Sequence, residues 1–517
     1  MKQRNIRLLY ILALIKFILP FIIQSPFYEP HRDEFLYFAE GQHMAWGYME
    51  VPPLLSVFAW LVNAFGGSMF WLKFWPSLFG ALTFLLIGKI ILSLGGKHFA
   101  LLLGFFPFVF TGYLRVHYLF QPNFLEIFFW TMIAFSIIRY IQKEKNRWLY
   151  VFGISTGLGM LSKYSVAFFI IAVVVGLLFT RQRKILSNKH FWYASIIGFL
   201  VFLPNLIWQI TNHLPVIHHM KELQETQLQF ISPFSFLTEQ LLMHLPVVFV
   251  WLAGLLFLLI TIKGRPYRFM AGAYFTVIIL LIIFQGKNYY SLGVYPVLFA
   301  FGAYYLEAVT EHRNRGWRIA MVVIPVALGF LFMPIALPVS KPEKLAKYYK
   351  ETGIDKSPAL KWEDLKQHPL PQDFADMLGW EEMAQKAAKV YHALSDEDKK
   401  KTIIFCDNYG QAGALNYYRN KYKLPEVYSD NASFLYWIPR SIHIDNMILI
   451  TDDQDEMQHD FMKDLQQATL VDSITNPFAR ERGTLIILLK GANDNFNEMF
   501  KKKIEADFAN LEGNQKN

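Results

Sequence analysis

Two adjacent carboxylates, Asp33 and Glu34, stand in the stretch "EPHRDEFLYFAEG", a short step after the first apolar run of the chain. A carboxylate placed there can take the proton from an attacking hydroxyl, so the pair predicts a general base with Asp33 and Glu34 as the catalytic candidates. The competing interpretation is structural, because acids in the first turn of a helix that begins after Pro30 complement the helix dipole. The residues alone leave both interpretations open.

Four cationic residues lie in connections where the positive-inside tendency does not predict them. They are Lys73, Arg115, Lys163 and Lys287. Each of them, taken singly, can extend its charge to the membrane interface without any further role. Together they favour a site for an anionic head group such as a lipid phosphate, with the hydroxyls of Tyr289 and Tyr290 as further donors.

Glu50, which precedes "VPPL", and the histidines His213, His218 and His219 form a weaker set of candidates. A carboxylate and imidazoles on one side of a membrane are compatible with a divalent metal. No ligand spacing here is diagnostic, however, so surface or hydrogen-bonded histidines remain the favoured interpretation and no cofactor is predicted as required. Neither a Walker loop nor a dinucleotide fingerprint is present, and nothing indicates a nucleotide.

The composition bounds the class of protein that must position these residues. The chain has 517 residues, of which 54% are hydrophobic, and its apolar residues cluster in runs near membrane-spanning length, which predicts a polytopic α-helical membrane protein. The net charge of +9 comes from short basic clusters between these runs, which argues against nucleic acid as a partner and in favour of membrane lipids. Cys406 is the single cysteine, so an intrachain disulfide is excluded.

The apolar runs predict about eleven transmembrane helices, at roughly 20 residues per crossing. They cover residues 6–23, 70–94, 98–114, 118–140, 148–161, 164–180, 191–208, 236–262, 267–284, 288–309 and 317–338. The first run has no convincing cleavage site and is interpreted as a retained signal anchor. The basic stretches "RYIQKEKNRW", "RQRKILSNKH", "IKGRPYR" and "EHRNRGWR" fall in alternate connections, on the side of the N-terminus. The expected topology is therefore N-terminus inside and C-terminus outside.

This topology places residues 24–69 in a long first outer loop that carries Asp33 and Glu34. Phe35, Phe38, Ala39 and Trp46 give an uneven apolar stripe typical of an interfacial helix, and "PPLLSVFAWLVNAF" predicts a second one. Within the membrane, "GISTG" at 153–157 is typical of a small-residue contact between helices.

Near Pro338 the apolar runs stop, which marks a boundary between a transmembrane domain, 1–338, and a soluble outer domain, 339–517. The β-rich stretches "KTIIFCD", "NMILIT" and "GTLIILLK" alternate there with three stretches of helical character. The helical stretches are "WEEMAQKAAKVYHAL", "QAGALNYYRNKY" and "DEMQHDFMKDLQQA". This alternation predicts a small α/β sandwich.

These motifs resemble those of the bacterial membrane glycosyltransferases of the GT-C superfamily, which include protein O-mannosyltransferases and the lipid A aminoarabinose transferase. The match begins with the Asp33-Glu34 pair, followed by Tyr37, and continues with Pro52-Pro53-Leu54 at the end of the loop. The segments "GLGMLSKY" and "GKNYYSLGVYPVLFAFGAYYLE" are similar to the family's Gly-rich helix and its late Lys/Tyr/Pro segment. "GWEEMAQKA" and "CDNYGQAGALNYY" resemble the soluble tail of bacterial members.

The resemblance implies a polyprenyl-phosphate sugar as donor and transfer at the outer face of the membrane, with Asp33 as base and Glu34 as helper. Tyr37, Glu50, Asn123 and Glu126 are then expected to support the acceptor or the loop. Two departures matter. Gln121, Pro122 and Asn123 replace the Thr-Pro-Asp of several members, and Leu36 and Val51 stand where aminoarabinose transferases carry basic residues. A second catalytic carboxylate and an aminoarabinose donor are therefore not implied.

The sequence thus predicts a multi-pass glycosyltransferase of a bacterial inner membrane. It would move a sugar, with inversion, from a polyprenyl phosphate to a hydroxyl of a protein, lipid A or an envelope glycan. A lipid or sugar transporter is the alternative, since outer-face charges also suit a substrate pathway, although no matching halves with interrupted helices are visible. An inactive assembly factor or receptor is a third hypothesis.

Overall fold

The structure is a computed structural model that describes residues 2–226, 228–313 and 315–513. Its first part is helical and mostly apolar, as the hydrophobic runs predicted. The helices of this part are α1 (Lys2–Ile23), α2 (Arg32–Glu40), α3 (Leu54–Ala64), α4 (Met69–Leu94), α5 (His98–Phe110), α6 (Tyr113–Val116), α7 (Asn123–Lys143), α8 (Arg147–Met160), α9 (Val166–Leu178), α10 (Lys189–Thr211), α11 (Pro215–Thr226), α12 (Pro233–Leu242), α13 (Val248–Ile260), α14 (Phe269–Ile283), α15 (Tyr295–Val309) and α16 (Arg315–Ala336).

Within the described residues, 7 helices are long and apolar enough to cross a membrane, or up to 8 if the pair α12 and α13, bent by 64°, forms one span. The chain is therefore a multi-pass membrane protein. Each of the predicted apolar runs coincides with a helix, but α5, α8 and α9 have only 13 or 14 residues, so the count of eleven crossings stays a prediction. The run predicted to begin at 118 starts as a helix only at Asn123. Pro122 explains the difference, because a proline disfavours helical geometry at the residue that precedes it.

Two glycines allow α8 and α10 to pack backbone against backbone. A Cβ on Gly153 would lie 2.0 Å from the carbonyl oxygen of Ala194, and one on Gly157 would lie 2.5 Å from that of Gly198. Any larger side chain would force the two helices apart. The predicted small-residue contact is thus confirmed.

The second part, called the C-terminal domain here, contains a five-stranded sheet in the order β2-β1-β3-β5-β4. Its strands are β1 (Thr402–Cys406), β2 (Val427–Tyr428), β3 (Asn446–Thr451), β4 (Leu465–Ser473) and β5 (Leu485–Ala492). Its helices are α17 (Pro342–Thr352), α18 (Gln372–Ala375), α19 (Trp380–His392), α20 (Asp396–Lys400), α21 (Tyr409–Tyr422) and α22 (Asp494–Gly513). β1 is parallel to β2 and β3, whereas β5 is antiparallel to β3 and β4.

Helices cover both faces of this sheet, as expected for an α/β domain. Trp380 of α19 and Leu415 of α21 are buried in one core, and Phe496 of α22 is buried in the other. The stretch "DEMQHDFMKDLQQA", predicted to be helical, is instead two short 3-10 turns followed by the beginning of β4. Its local pattern is overridden because Ala468 and its neighbours pair with β5 and complete the edge of the sheet.

The helix α2 of the first loop packs against the C-terminal domain. The ring of Phe35 lies 5.5 Å from that of Trp380 and 5.4 Å from that of Tyr417. Gly413 of α21 permits this approach, since a Cβ there would lie 2.8 Å from the Cβ of Phe35. Both helices predicted in the loop are confirmed, but the apolar stripe of α2 is covered by protein instead of lipid. Trp46 lies outside both helices and is 61% exposed.

Candidate active site

The start of α2 determines how the two adjacent acids are oriented. His31 is the N-cap residue, and its Nδ1 accepts a hydrogen bond of 3.1 Å from the backbone N–H of Asp33. The side chain of Glu34 in turn accepts a hydrogen bond of 2.8 Å from the backbone N–H of His31, which completes a capping box. The helix-capping interpretation therefore applies to Glu34, whereas the carboxylate of Asp33 takes no part in the cap.

Glu34 is also one half of a buried ion pair. Its two oxygens lie 2.5 and 2.6 Å from Nζ of Lys73, and one of them accepts a further hydrogen bond of 2.6 Å from the N–H of Phe120. The side chains of Glu34 and Lys73 are 0% and 2% exposed. These contacts tie the loop helix to α4, and they direct the ammonium of Lys73 to Glu34.

The carboxylate of Asp33 is held by one residue from each part of the protein. Oδ1 accepts a hydrogen bond of 2.8 Å from the hydroxyl of Tyr409, and Oδ2 accepts one of 3.0 Å from the side-chain amide of Gln121. Burial and then the nearby Asp33 raise the pKa of Tyr409 well above its usual value, so this hydroxyl stays protonated and remains a donor. The side chain of Asp33 is 33% exposed, which leaves it accessible to a substrate.

Lys163 is the centre of a second polar cluster. Its ammonium donates to Oδ1 of Asn123 at 2.6 Å and to Oε2 of Glu126 at 3.0 Å. It lies 4.3 Å from the ring centre of Tyr290 and 5.6 Å from that of Tyr289. Five of the residues predicted from the sequence are thus brought together, and the Lys163 side chain keeps 18% exposure.

A chain of hydrogen bonds links this cluster to Asp33. Asn123 donates to the side-chain oxygen of Gln121 at 3.3 Å, and Gln121 donates to Asp33. Ser165 closes the other end of the cluster by donating to Glu126 at 2.5 Å. A carboxylate and an ammonium group therefore belong to one polar network, in which the amide of Asn123 stands where relatives were expected to carry a second acid.

Arg115 and Lys287 lie apart from this network, at the border with the C-terminal domain. Arg115 donates to the carbonyl oxygen of Ala336 at 3.1 Å and pairs with Asp373, and Lys287 lies 4.0 Å from Glu363. Burial alone would raise the pKa of Asp373, but Arg115 and then His31 bring it below its usual value. Both predicted phosphate ligands thus have acidic partners in this structure.

The remaining candidates of the first loop are Tyr37 and Glu50, and the acid Glu40, which was not a candidate, lies between them in the sequence. Tyr37 lies one helical turn beyond Asp33, and burial followed by the charge of Asp33 raises its pKa well above the usual value. Glu50 accepts hydrogen bonds from the N–H and hydroxyl of Ser433 at 2.7 and 2.6 Å, so it attaches the loop to the C-terminal domain. Glu40 is fully buried, and burial, with a smaller effect of Glu50, raises the pKa of its carboxyl well above the ordinary range.

The candidates for a metal are not gathered at one point. His218 and His219 lie on α11, whereas Glu50 is engaged with Ser433. Across residues 2–226, 228–313 and 315–513, a group of three close ligand atoms occurs at Asp453, Glu456 and His459. Such groups of acidic and imidazole side chains near the surface are common without a metal, and this group contains none of the residues considered from the sequence.

Comparisons with known proteins can be placed on this geometry. A family model described as dolichyl-phosphate-mannose-protein mannosyltransferase matches residues 50–208. No curated protein matches the chain significantly by sequence. The structure of ArnT from Cupriavidus metallidurans bound to undecaprenyl phosphate is similar, with a TM-score of 0.63 and 11% identity over 93% of this chain and 97% of that chain. The fold is of the GT-C type.

The apo form of the same ArnT gives a TM-score of 0.59 at 12% identity, again over 93% of this chain and 97% of that one. The archaeal oligosaccharyltransferase AglB from Archaeoglobus fulgidus was solved in complex with an inhibitory peptide and a dolichol-phosphate. It gives a TM-score of 0.49 at 12% identity, over 88% of this chain and 70% of that chain. The family match and the similarity to ArnT confirm the resemblance to GT-C proteins that was inferred from motifs. The family match spans Glu50, Asn123, Glu126 and Lys163, and Asp33 precedes it.

Three residues of this candidate site were not predicted as site residues. Gln121 was noted only as a departure from the family pattern, although an amide in that position signals a hydrogen-bond donor. Tyr409 lies in "CDNYGQAGALNYY", whose resemblance to the tail of bacterial relatives was the available signal. His31 had no signal beyond its position two residues before Asp33.

Proposed function

We propose that the protein is a glycosyltransferase that moves a sugar from a polyprenyl-phosphate donor to a hydroxyl acceptor. The proposal is carried by one observation. The partly exposed carboxylate of Asp33 and the ammonium of Lys163 belong to one hydrogen-bonded network through Gln121 and Asn123. This arrangement supplies a base for an acceptor and a cation for a phosphate leaving group.

The reaction assigns a task to each end of the network. The acceptor oxygen attacks the anomeric carbon while its proton passes to Asp33. The bond from that carbon to the phosphate oxygen breaks, and polyprenyl phosphate departs with the bonding electron pair. Lys163 offsets the negative charge that develops on the phosphate, beside Tyr289 and Tyr290. Direct displacement inverts the configuration at the anomeric carbon.

The shared fold and the family match support the proposed class of donor. ArnT was solved with undecaprenyl phosphate, and the matching family is described by a dolichyl-phosphate sugar. Both lipids are polyprenyl phosphates, so the donor is assigned at that level. The acceptor is a hydroxyl of a protein, of lipid A or of an envelope glycan.

The location of the reaction follows from the distribution of positive charge. Basic clusters alternate along the chain and place the N-terminus in the cytoplasm of a bacterial cell. The first loop, with Asp33, then lies at the periplasmic face of the inner membrane. In this proposal the transmembrane domain covers 1–338 and the periplasmic domain 339–517.

The test incubates purified full-length protein with a panel of radiolabelled undecaprenyl-phosphate sugars and with acceptors of the three proposed classes, namely protein, lipid A and envelope glycan. The wild type releases undecaprenyl phosphate with at least one sugar. Asp33→Asn lowers turnover by about 10²–10⁴-fold with donor binding nearly kept, because the amide cannot accept the proton. Asp460→Asn, at a 94% exposed carboxylate of the C-terminal domain, serves as the matched control and keeps full activity.

Two results would overturn the proposal. Asp33→Asn with near-wild-type transfer would remove Asp33 from the mechanism. A wild type that moves donor across liposomes without releasing undecaprenyl phosphate would favour the transporter alternative.

A further inference from the structure

We propose that the C-terminal domain completes the catalytic site, with Tyr409 as a positioning residue that holds Asp33 in its working orientation. The inference rests on the proposed function, in which Asp33 is the base. It gives the C-terminal domain a direct role in catalysis.

Contacts at its backbone and on the face of its ring hold Tyr409 in position. Tyr409 is the first residue of α21, and its backbone N–H donates to the side chain of Asn431 at 3.2 Å. Its ring lies beneath the guanidinium of Arg32, 4.7 Å from the ring centre. These contacts hold the residue at its backbone and on the face of its ring, and its hydroxyl donates to Asp33.

The contact between α2 and α21 sets the distance across which this hydrogen bond forms. Gly413 and Phe35 allow the two helices to approach closely, because a Cβ on Gly413 would already meet the backbone of α2 at 3.0 Å. The hydroxyl of Tyr409 then reaches Asp33 at 2.8 Å. A shift of the C-terminal domain would change this contact directly.

Two donors from different parts of the chain define the plane of the Asp33 carboxylate. Gln121, just before α7, fixes one oxygen and Tyr409 fixes the other. With only one of them, the carboxylate rotates about its last side-chain bond and leaves the geometry needed for proton transfer. A misplacement of about 1 Å costs on the order of 10²-fold in rate.

The C-terminal domain also faces the residue that caps α2. His31 accepts the N–H of Asp33 through Nδ1, so its proton is on Nε2. This Nε2 lies 3.9 Å from a carboxylate oxygen of Asp373 and 3.8 Å from one of Asp376. The backbone of Asp33 and its side chain are thus both oriented by groups that the C-terminal domain contacts.

The experiment replaces Tyr409 by Phe in the full-length protein, which removes the hydroxyl and keeps the ring. We expect kcat to fall about tenfold to a hundredfold, the range for a lost hydrogen bond to a charged group, with KM for the donor and the melting temperature unchanged. Tyr418→Phe is the matched control. Tyr418 also lies on α21 and donates to a loop carboxylate, Glu29 at 3.2 Å, but it does not contact Asp33.

A double variant separates positioning from a general structural effect. In an Asp33→Asn background, Tyr409→Phe should add no further loss of kcat, because its effect passes through Asp33. If the wild type is active and Tyr409→Phe has the same kcat, this inference is overturned and the proposed function remains intact. Equal losses for Tyr409→Phe and Tyr418→Phe also overturn it. A wild type without transfer overturns the proposed function, and the inference with it.

Discussion

Lys73 Nζ lies 2.5 and 2.6 Å from the two carboxylate oxygens of Glu34, in a pair almost completely shielded from solvent. Asp33, the preceding residue, keeps a third of its side chain exposed. Two neighbouring acids of the same motif therefore have opposite environments. One stabilises the junction of the loop with α4, and the other remains available for chemistry.

This separation predicts a stability effect at Glu34. Glu34→Gln leaves the ammonium of Lys73 buried without a counter-charge, which should destabilise the fold by about 3–5 kcal/mol. Thermal unfolding in detergent measures the loss, and Asp33→Asn provides the control because it should unfold like the wild type. The double variant Glu34→Leu with Lys73→Met should recover most of the lost stability. A Glu34→Gln protein as stable as the wild type would contradict the ion-pair interpretation.

The phosphate role of the outer cations is tested by replacing them with Met. Lys163→Met should weaken donor binding or slow turnover about tenfold to a hundredfold, because a charge-assisted contact is lost. Lys287→Met should act in the same direction, and less strongly, since Lys287 lies outside the network of Asp33. Lys347→Met, at a 76% exposed side chain of α17, is the control for a change of charge. Unchanged kinetics and affinity in both variants would favour the snorkelling interpretation.

Two variants of His31 test its role as the N-cap of α2. His31→Ala removes the acceptor of the Asp33 N–H and should cost about 1 kcal/mol of stability together with a loss of turnover. His31→Asn restores an oxygen acceptor at the cap and should recover the stability. Unfolding temperature and kcat are measured on both proteins. The prediction is wrong if His31→Ala matches the wild type in both measurements.

Asp376 predicts a dependence of stability on pH. Burial raises its pKa from 3.8 to about 6, although Arg480 at 3.2 Å and His31 oppose the shift. The folded state therefore binds the proton more tightly than the unfolded state. The resulting stabilisation is full below pH 3.8 and is lost as the pH rises through about 6.

Asp376→Asn cannot ionise and should lack this dependence. Between pH 4 and pH 7 its stability should rise relative to the wild type by up to about 3 kcal/mol. The measurement is the difference in unfolding temperature of the two proteins across that range, in which the other titrating groups cancel. A constant difference would show that Asp376 does not titrate there.

The charge alternation predicts the orientation of the chain in the membrane. A reporter fused after Asn517 should be active only outside the cytoplasm, and one inserted within 181–190 only inside it. The second fusion is the control for expression. A C-terminal reporter active in the cytoplasm would place Asp33 on the wrong side for a periplasmic reaction.

Much of the fold was predictable because its determinants are local. Hydrophobic runs gave the positions of the long helices, and the spacing of Gly153 and Gly157 gave a helix contact. The unexpected outer-face charges also put Lys163 and the late tyrosines in one predicted phosphate site, but the contact of Lys163 with Glu126 was not predicted. These features depend on residues close in sequence or on motifs that recur.

What sequence reasoning missed depends on distant contacts. The partner of Glu34 is Lys73. No pattern in either helix shows that Lys73 pairs with this acid instead of extending its charge to the membrane interface. Tyr409 contacts Asp33 only because α21 docks on α2. The strand β4 forms because β5 offers an unpaired edge, which overrides the local preference of its first residues.

The separation of 376 positions between Asp33 and Tyr409 has a consequence for biosynthesis. The ribosome makes the membrane helices first, and they insert while the C-terminal domain is still unmade. During that interval the nascent chain already carries Asp33 and Lys163, but the hydroxyl that orients the base does not yet exist. In the proposed mechanism, sugar transfer reaches its full rate only after the C-terminal domain has folded and docked, so unfinished chains would consume lipid-linked sugar more slowly than complete ones.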